Sequence, residues 1–457
     1  MAITKLTIQV MPAGGLLDEK TVVLGERFMK KWKLPGNSSM VLHFGSAKQQ
    51  IKIISAAKLE GMRVNQALAA RLGVHHGQTL CLQIKPSSRT IIIGPLIGVM
   101  VSRVHANSPD KPFSDNTAFC NELTDGCRHL GGAVFFFTAS DIAASNLLTI
   151  SGWSYHGRWR KSSFPIPDVI YNRLTSRKLD NKPSVQQFLR EVKSRYNTSV
   201  FNEKYLNKTE VFDALRQANG LSRLMPESHL FRNAGMLSSM CSKYATVFLK
   251  PITGSLGKGI IKISKLPGGS YVCHFTNVNG TVRQSYPSLS KVYALISGKM
   301  RQRKYQIQQG LRLIAVHGRP VDFRALVHRG EQGAWAVTSV VGRIAGANHF
   351  VSNIARGGAV TSVKQAIQGS NLPSGQKKSV YLHLRKAALD IARGIETQIK
   401  GHFGELGIDL AVDTNGRVWL LEVNSKPSKN DNTPLTESKI RPSVKQLLLY
   451  SRFLAGF

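Results

Sequence analysis

Over residues 1–88, apolar and polar positions alternate in short runs: TKLTIQV, KTVVLG, MVLHFG, QQIKIISA and QTLCLQIK, separated by Gly, Pro and Asn. Alternation with a period of two is the signature of a strand, and strands this short and closely spaced predict a small β-barrel. Before the last of them, VNQALAARLGVHHG supplies one short helix and a turn, with His75 and His76 read as solvated. The pattern then changes. Ile91–Val101 is an apolar run interrupted by Gly94, Pro95 and Gly98 and is read as one buried strand, FSDNTAFCNELTDGCRHLGG has helical spacing, and GAVFFFTA and PDVIYNR are again apolar. Buried strand, helix, buried strand predicts an α/β unit with a partly parallel sheet. Gly94 and Gly98 lack the GxGxxG spacing of a dinucleotide loop and are assigned to packing. PSVQQFLREVKSRY and NKTEVFDALRQANG carry apolar residues three and four apart, with Asn207 as N-cap and Glu210 at the capping-box position. Strands then resume. The expected fold is α/β (α+β) with three units: 1–88, 89–199 and 200–457.

Two later stretches place charge inside strand-like runs. In TVFLKPITGSLGKGIIKISK, residues 246–265, Lys250 ends a strand on the face of Thr246 and Phe248, and Gly254, Gly257 and Gly259 follow. Glycines let backbone amides approach a polyphosphate, while Ser255 and Lys258 add a hydroxyl and a charge. The spacing is not that of a Walker loop, and no helix follows. In VWLLEVNSKPSKND, residues 418–431, Glu422 and Asn424 share one face of an otherwise apolar strand. A carboxylate there calls for a cation, a metal or several hydrogen bonds. VDTNGRVW has the turn pair Asn415–Gly416, which sets Asp409 of GELGIDLAV opposite Glu422.

Composition narrows the class. The chain has 457 residues, 42% hydrophobic and 19% charged, which are globular values with room for two or three cores. No apolar run approaches the ~20 residues that span a bilayer. The first twenty residues alternate where a secretory signal needs an unbroken apolar segment, so a cytoplasmic chain is expected. Five cysteines without a CxxC pair predict free thiols, and Cys120, Cys127 and His129 lack a fourth zinc ligand. Sixty-two Lys and Arg against 26 Asp and Glu leave a net charge of +36, which implies an anionic partner. No zinc-finger or RNP-type signature accompanies that charge, so no specific nucleic-acid motif is present. SGWSYHGRWRKSSF, 151–164, reads as a solvated β-hairpin, with a loop gripping an anionic partner as the alternative. GxSxG is absent, against a hydrolase.

The lysine-ended strand with its glycine loop, followed by Asp409, Glu422 and Asn424, resembles the ATP-grasp superfamily over roughly residues 200–457. The layout, with FPIPDVIYNR and LEVNSKPS, is similar to the YheC/YheD-type endospore coat-associated proteins. The resemblance implies a C-terminal ATP-grasp fold behind a small barrel-like domain and an α/β segment. It implies ATP contacts from Lys208, Lys250, Gly254, Ser255, Gly257, Lys258 and Gly259, and an adenine hinge at Gln308, Gln309 and Leu311. Gly310 departs from the bulkier residue usual there. Asp409, Glu422 and Asn424 match the metal positions for Mg²⁺, with Mn²⁺ as an alternative, and Arg324, Arg343, Asn353 and Arg356 match catalytic positions. The implied activity is an ATP-dependent carboxylate–amine or carboxylate–thiol ligase that works through an acyl phosphate on an anionic or peptidic substrate. Spore coat components are the implied partners, in the cytoplasm or at the coat. The alternatives are a non-catalytic coat protein binding nucleotide or polyanion, and phosphotransfer to a hydroxyl.

Overall fold

A computed structural model describes residues 4–12, 17–143, 147–252, 259–277, 280–346, 358–429 and 440–457. Seven strands form the first layer: β1 (Thr4–Met11), β2 (Thr21–Gly25), β3 (Ser39–Phe44), β4 (Ala47–Ala56), β5 (Gly61–Asn65), β6 (Thr79–Lys85) and β7 (Thr90–Gly94). They close a barrel in the order β1-β5-β2-β4-β3-β7-β6, so no edge is left open. Their alternating apolar residues, among them Leu6, Ile8, Leu24, Leu42 and Ile53, fill its interior. The short helix Gln66–Leu72 follows β5, with Asn65 Oδ1 accepting from Leu68 N at 2.8 Å.

The run Ile91–Val101, expected as one buried strand, is two strands in two sheets. β7 completes the barrel, and after Pro95, which has no N–H to give a ladder, β8 (Leu96–Met100) begins the second sheet. That sheet also holds β9 (Ala133–Phe137), β10 (Thr149–Tyr155), β11 (Trp159–Pro165), β12 (Val169–Asn172) and β13 (Ser199–Phe201), ordered β11-β10-β9-β8-β12-β13. β8 pairs in parallel with both β9 and β12. The helix Thr117–Leu130 makes the crossover from β8 to β9, as its apolar spacing predicts. β10 and β11 form the expected hairpin.

The chain from β14 onward builds two further sheets. The third contains β14 (Ser228–Leu230), β15 (Thr246–Pro251), β16 (Ile261–Lys265), β17 (Tyr271–Asn277), β18 (Gly280–Tyr286) and β19 (Tyr305–Gln309), ordered β14-β19-β15-β16-β17-β18. The fourth contains β20 (Ala315–Val316), β21 (Arg319–Arg329), β22 (Trp335–Ile344), β23 (Ala359–Ser362), β24 (Glu405–Val412) and β25 (Val418–Asn424). Its path is β23-β22-β21-β24-β25, with β20 paired to β21. The 25-residue helix Ser374–Gln398 covers one face of this sheet, burying Leu384, Ala388, Ile391 and Ile395 against Phe323 and Ile408. The other face is left for chemistry. The last helix, Pro442–Leu454, packs Val444 and Leu448 with Phe119 and Leu123 of the crossover helix, tying the C-terminus to the second sheet.

Asn207 caps its helix by accepting from Thr209 N at 3.0 Å. Glu210 does not complete a capping box; its carboxylate takes Lys204 Nζ at 2.7 Å instead. All five cysteines are free and buried. No helix among the described residues is long and apolar enough to cross a membrane.

Candidate functional site

A cavity of about 1120 Å³ lies between the third and fourth sheets. From the third sheet, Thr246, Phe248 and Lys250 face it, while Val247 and Leu249 on the opposite side of β15 are buried in the core. Lys262, directly across from Phe248 on β16, lines the same wall. Lys208, at the first position of its helix, reaches in and lies 3.5 Å from Glu422. Gln308 accepts a hydrogen bond from Lys250 Nζ and donates to Ser228 Oγ at 2.8 Å, so the lysine is held in place. Burial and the neighbouring Lys208 push Lys250 down to about 8, against the attraction of Glu422 and Asp322.

The fourth sheet contributes a row of opposed charges. Asp322 pairs across the ladder with Arg343, Arg324 with Asp409, and Asp409 with Glu422, so all five project from one face. Arg343 Nε donates to Asp322 Oδ1 at 2.5 Å, and its Nη2 lies 3.0 Å from Asp409 Oδ1. Arg324 grips Asp409 with Nε on one oxygen and Nη2 on the other, the latter at 3.1 Å. Burial alone would raise the Asp409 carboxyl, but Arg324 and Arg343 hold it below its ordinary value. Burial likewise disfavours the charge on Arg343, and Asp322 and Asp409 outweigh that to hold its value above the ordinary one.

The facing of Asp409 and Glu422 arises by two compensating irregularities. The loop after β24 is three residues, Thr414–Gly416, because Asp413 N donates to Arg417 O at 3.0 Å and Gly416 takes φ +78. That shifts the pairing by one residue relative to a two-residue Asn–Gly turn. A bulge at Leu421 shifts it back, and Asp409 lies opposite Glu422.

Lys208, Lys250, Gln308, Gln309, Leu311, Arg343, Asp409 and Glu422 all line the cavity. Arg324 stands behind it through Asp409. Asn424, opposite Gly407 on β25, and Gly259, which lines a smaller cavity beside Tyr305, lie off its wall. Gly254, Ser255, Gly257, Lys258, Asn353 and Arg356 are outside the described residues. Sequence reasoning missed Lys262, whose alternation with Ile261 and Ile263 marks a face but not which cavity that face meets.

The glycine at 310 has a steric cause. Its N–H donates to Thr246 O at 2.9 Å, and a Cβ would meet that same oxygen at 2.6 Å. Gly310→Ala is therefore expected to destabilise the fold by about 1–3 kcal/mol. Thermal denaturation checks this, and an unchanged melting point would contradict it. Beside it, Gln309 N donates to Glu227 O at 2.8 Å and its side chain accepts from Glu227 N at 3.2 Å, which fixes this rim to the edge strand.

A cleft between two sheets, with lysines on one wall and a carboxylate–guanidinium row on the other, together with the strand order, defines an ATP-grasp protein. A family model described as YheC/D-like ATP-grasp matches residues 197–454, more than half of the chain, and the chain belongs to that family. It is 29% identical over 342 residues to endospore coat-associated protein YheD of Bacillus subtilis (strain 168), covering 75% of this chain and 74% of that protein. To endospore coat-associated protein YheC of the same organism it is 22% identical over 322 residues, covering 67% and 84%. Among solved structures, the D-alanine-D-alanine ligase from Coxiella burnetii matches at a TM-score of 0.46 and 10% identity, over 79% of this chain and 95% of that one.

Proposed function

We propose that this chain is an ATP- and Mg²⁺-dependent ligase that joins a carboxylate to an amine through an acyl phosphate. The observation that supports it is the division of charge across the cavity: Lys250 and Lys262 on the third sheet, Asp409, Glu422 and the arginine pair on the fourth, with Lys208 reaching in beside Glu422. A triphosphate satisfies the first wall. The second suits a hard cation, since Asp409 and Glu422 face each other with Asn424 two residues on. Among the described residues no three His, Cys, Asp or Glu side chains form a ready cage, which suits an ion that completes its shell with water and phosphate oxygens. Arg324 and Arg343 take three of the roughly four acceptor directions of the Asp409 carboxylate, and one remains. Mg²⁺, or Mn²⁺, supplies fixed positive charge against the transferring phosphoryl group.

In this reading Lys250, Lys208 and the loop of Gly254, Ser255, Gly257, Lys258 and Gly259 hold the phosphates, while Gln308, Gln309 and Leu311 border the base. A substrate carboxylate oxygen attacks the γ-phosphorus, the bond to the bridging oxygen breaks, and ADP leaves. An amine then attacks the acyl carbon, phosphate departs, and the amine proton passes to water. Arg343, positioned by Asp322, and Arg324 stabilise the charge that develops, together with Asn353 and Arg356. The net charge of +36 favours an acidic or peptidic acceptor, and the names of YheD and YheC favour a place at the spore coat.

A second reading, a coat protein that binds nucleotide or polyanion without turnover, is favoured by the engagement of Asp409 with two guanidiniums. One experiment separates them: ADP formation with Mg²⁺, amines and a panel of acidic peptides, comparing the parent with Glu422→Gln. Loss of a partner that merely supports a ligand costs about 10–100-fold in metal affinity or activity. Loss of the ligand itself is expected to cut turnover at least that far. ATP binding with no ADP across the panel would sink the ligase reading.

A further inference from the structure

A second cavity, of about 400 Å³, opens outside the carboxyl ends of β8 and β12. The chain leaves β8 through the helix Thr117–Leu130 to β9 on one side and returns as β12 on the other. The crossover direction therefore reverses between β8 and β12, and open α/β sheets bind ligands in the crevice at such a point. Nothing in the ATP-grasp reading uses it.

Arg173, the first residue after β12, lines this cavity and is 6% exposed. Its backbone N–H is fixed on Met100 O at 2.9 Å, yet its side-chain Nε and Nη1 are buried without a hydrogen-bond partner among the described residues. The neighbouring carboxylates make their hydrogen bonds elsewhere, and Glu405 acts on the Arg173 charge only through space. Asp180 takes Asn172 Nδ2 at 2.8 Å and Lys426 Nζ at 2.7 Å, and Glu405 takes Lys429, His328 and Tyr171. A buried guanidinium with idle donors is costly, and an anion with two oxygens would satisfy its fork. The opposite wall is the N-terminus of the 14-residue crossover helix, where Asn116 makes no side-chain cap and the helix dipole favours negative charge. Between them lie the Ser102 and Thr175 hydroxyls and an apolar side of Phe113 and Phe119. The volume is that of a small-molecule site.

We propose that this cavity binds a small organic anion, with a carboxylate or phosphate forked on Arg173 and an apolar portion against Phe113 and Phe119. The proposal stands apart from the nucleotide cleft and does not depend on ligase activity.

The test titrates the full chain with inorganic phosphate and, separately, with acetate, at ionic strength held constant with NaCl, following the melting temperature and binding heat. Parent, Arg173→Gln, Arg173→Lys and Lys250→Met are compared. A saturable response to one anion is expected in the parent and in Lys250→Met. It should weaken at least tenfold in Arg173→Gln, and weaken also in Arg173→Lys, which keeps the charge but loses the fork. A response to phosphate alone assigns a phosphoryl ligand; one to acetate assigns a carboxylate. No saturable response, a parent-like response in both Arg173 variants, or loss in Lys250→Met alone would each overturn the proposal.

Discussion

Lys250→Met is expected to lower ATP turnover about 100–1000-fold, the cost of removing one preorganised donor to developing charge, and to make the free protein more stable at neutral pH. Both effects follow from one lysine at the end of β15, buried beside Lys208 and pushed down to about 8. Its folded value lies below the unfolded one, so the unfolded chain binds more protons between pH 8 and the ordinary lysine range, and stability rises with pH across that window. Below pH 8 the charged form is an uncompensated cost, which methionine removes. A triphosphate reverses the balance by pulling the ammonium back toward its ordinary value. Affinity for Mg-ATP should then be flat below pH 8 and fall as pH rises above it, with proton uptake on binding near pH 8.5. Calorimetry in buffers of different ionisation enthalpy checks this. Uptake that persists in Lys250→Met would assign the proton to another group and sink the argument.

What the sequence disclosed about this site follows the range of the interactions involved. Lys250 and its face were readable because a strand's period of two is local, and the structure keeps Thr246, Phe248 and Lys250 on the cavity side. The pairing of Asp409 with Glu422 was expected from the Asn415–Gly416 turn, and it holds only because a three-residue loop and a bulge at Leu421 cancel. Each depends on backbone geometry that residue types do not reveal. Asp322 and Arg343 sit on the neighbouring strands of a hairpin, but Asp409 comes from β24, beyond the helix Ser374–Gln398, so no spacing could announce that Arg324 and Arg343 converge on it. In the barrel, GMRVN at 61–65 is short, with Arg63 at its centre, and was not read as a strand. Arg173 stands in the legible strand PDVIYNR, yet its isolation becomes visible only once β8 and Glu405 are beside it.

The tail beyond Asn424 carries the largest expected effect on folding. Lys426 and Lys429 of SKPSK turn inward: Lys426 meets Asp180, while Lys429 meets Glu405, the first residue of β24, which is 0% exposed. His328 Nε2 and the Tyr171 hydroxyl each reach Glu405 at 3.2 Å, so this carboxylate joins the second sheet to the fourth. Burial would raise its value, but Lys429, then His328, hold it well below the ordinary carboxylate range. Lys429→Met leaves that charge buried without its strongest partner, at an expected cost of about 3–5 kcal/mol. The sign with pH follows. Glu405's contribution is fully present above the unfolded carboxylate value, about 4.3, and is lost on acidification toward its depressed folded value. In Lys429→Met the folded value rises, and this part of the acid sensitivity shrinks. Denaturant unfolding between pH 3 and 8 measures both. Replacing Glu405 by Leu in the Lys429→Met background removes the stranded charge and should recover much of the loss, since an apolar exchange of a buried pair is often neutral. A single variant as stable as the parent would mean that His328 and Tyr171 alone satisfy Glu405, and that the tail is held by something other than this charge.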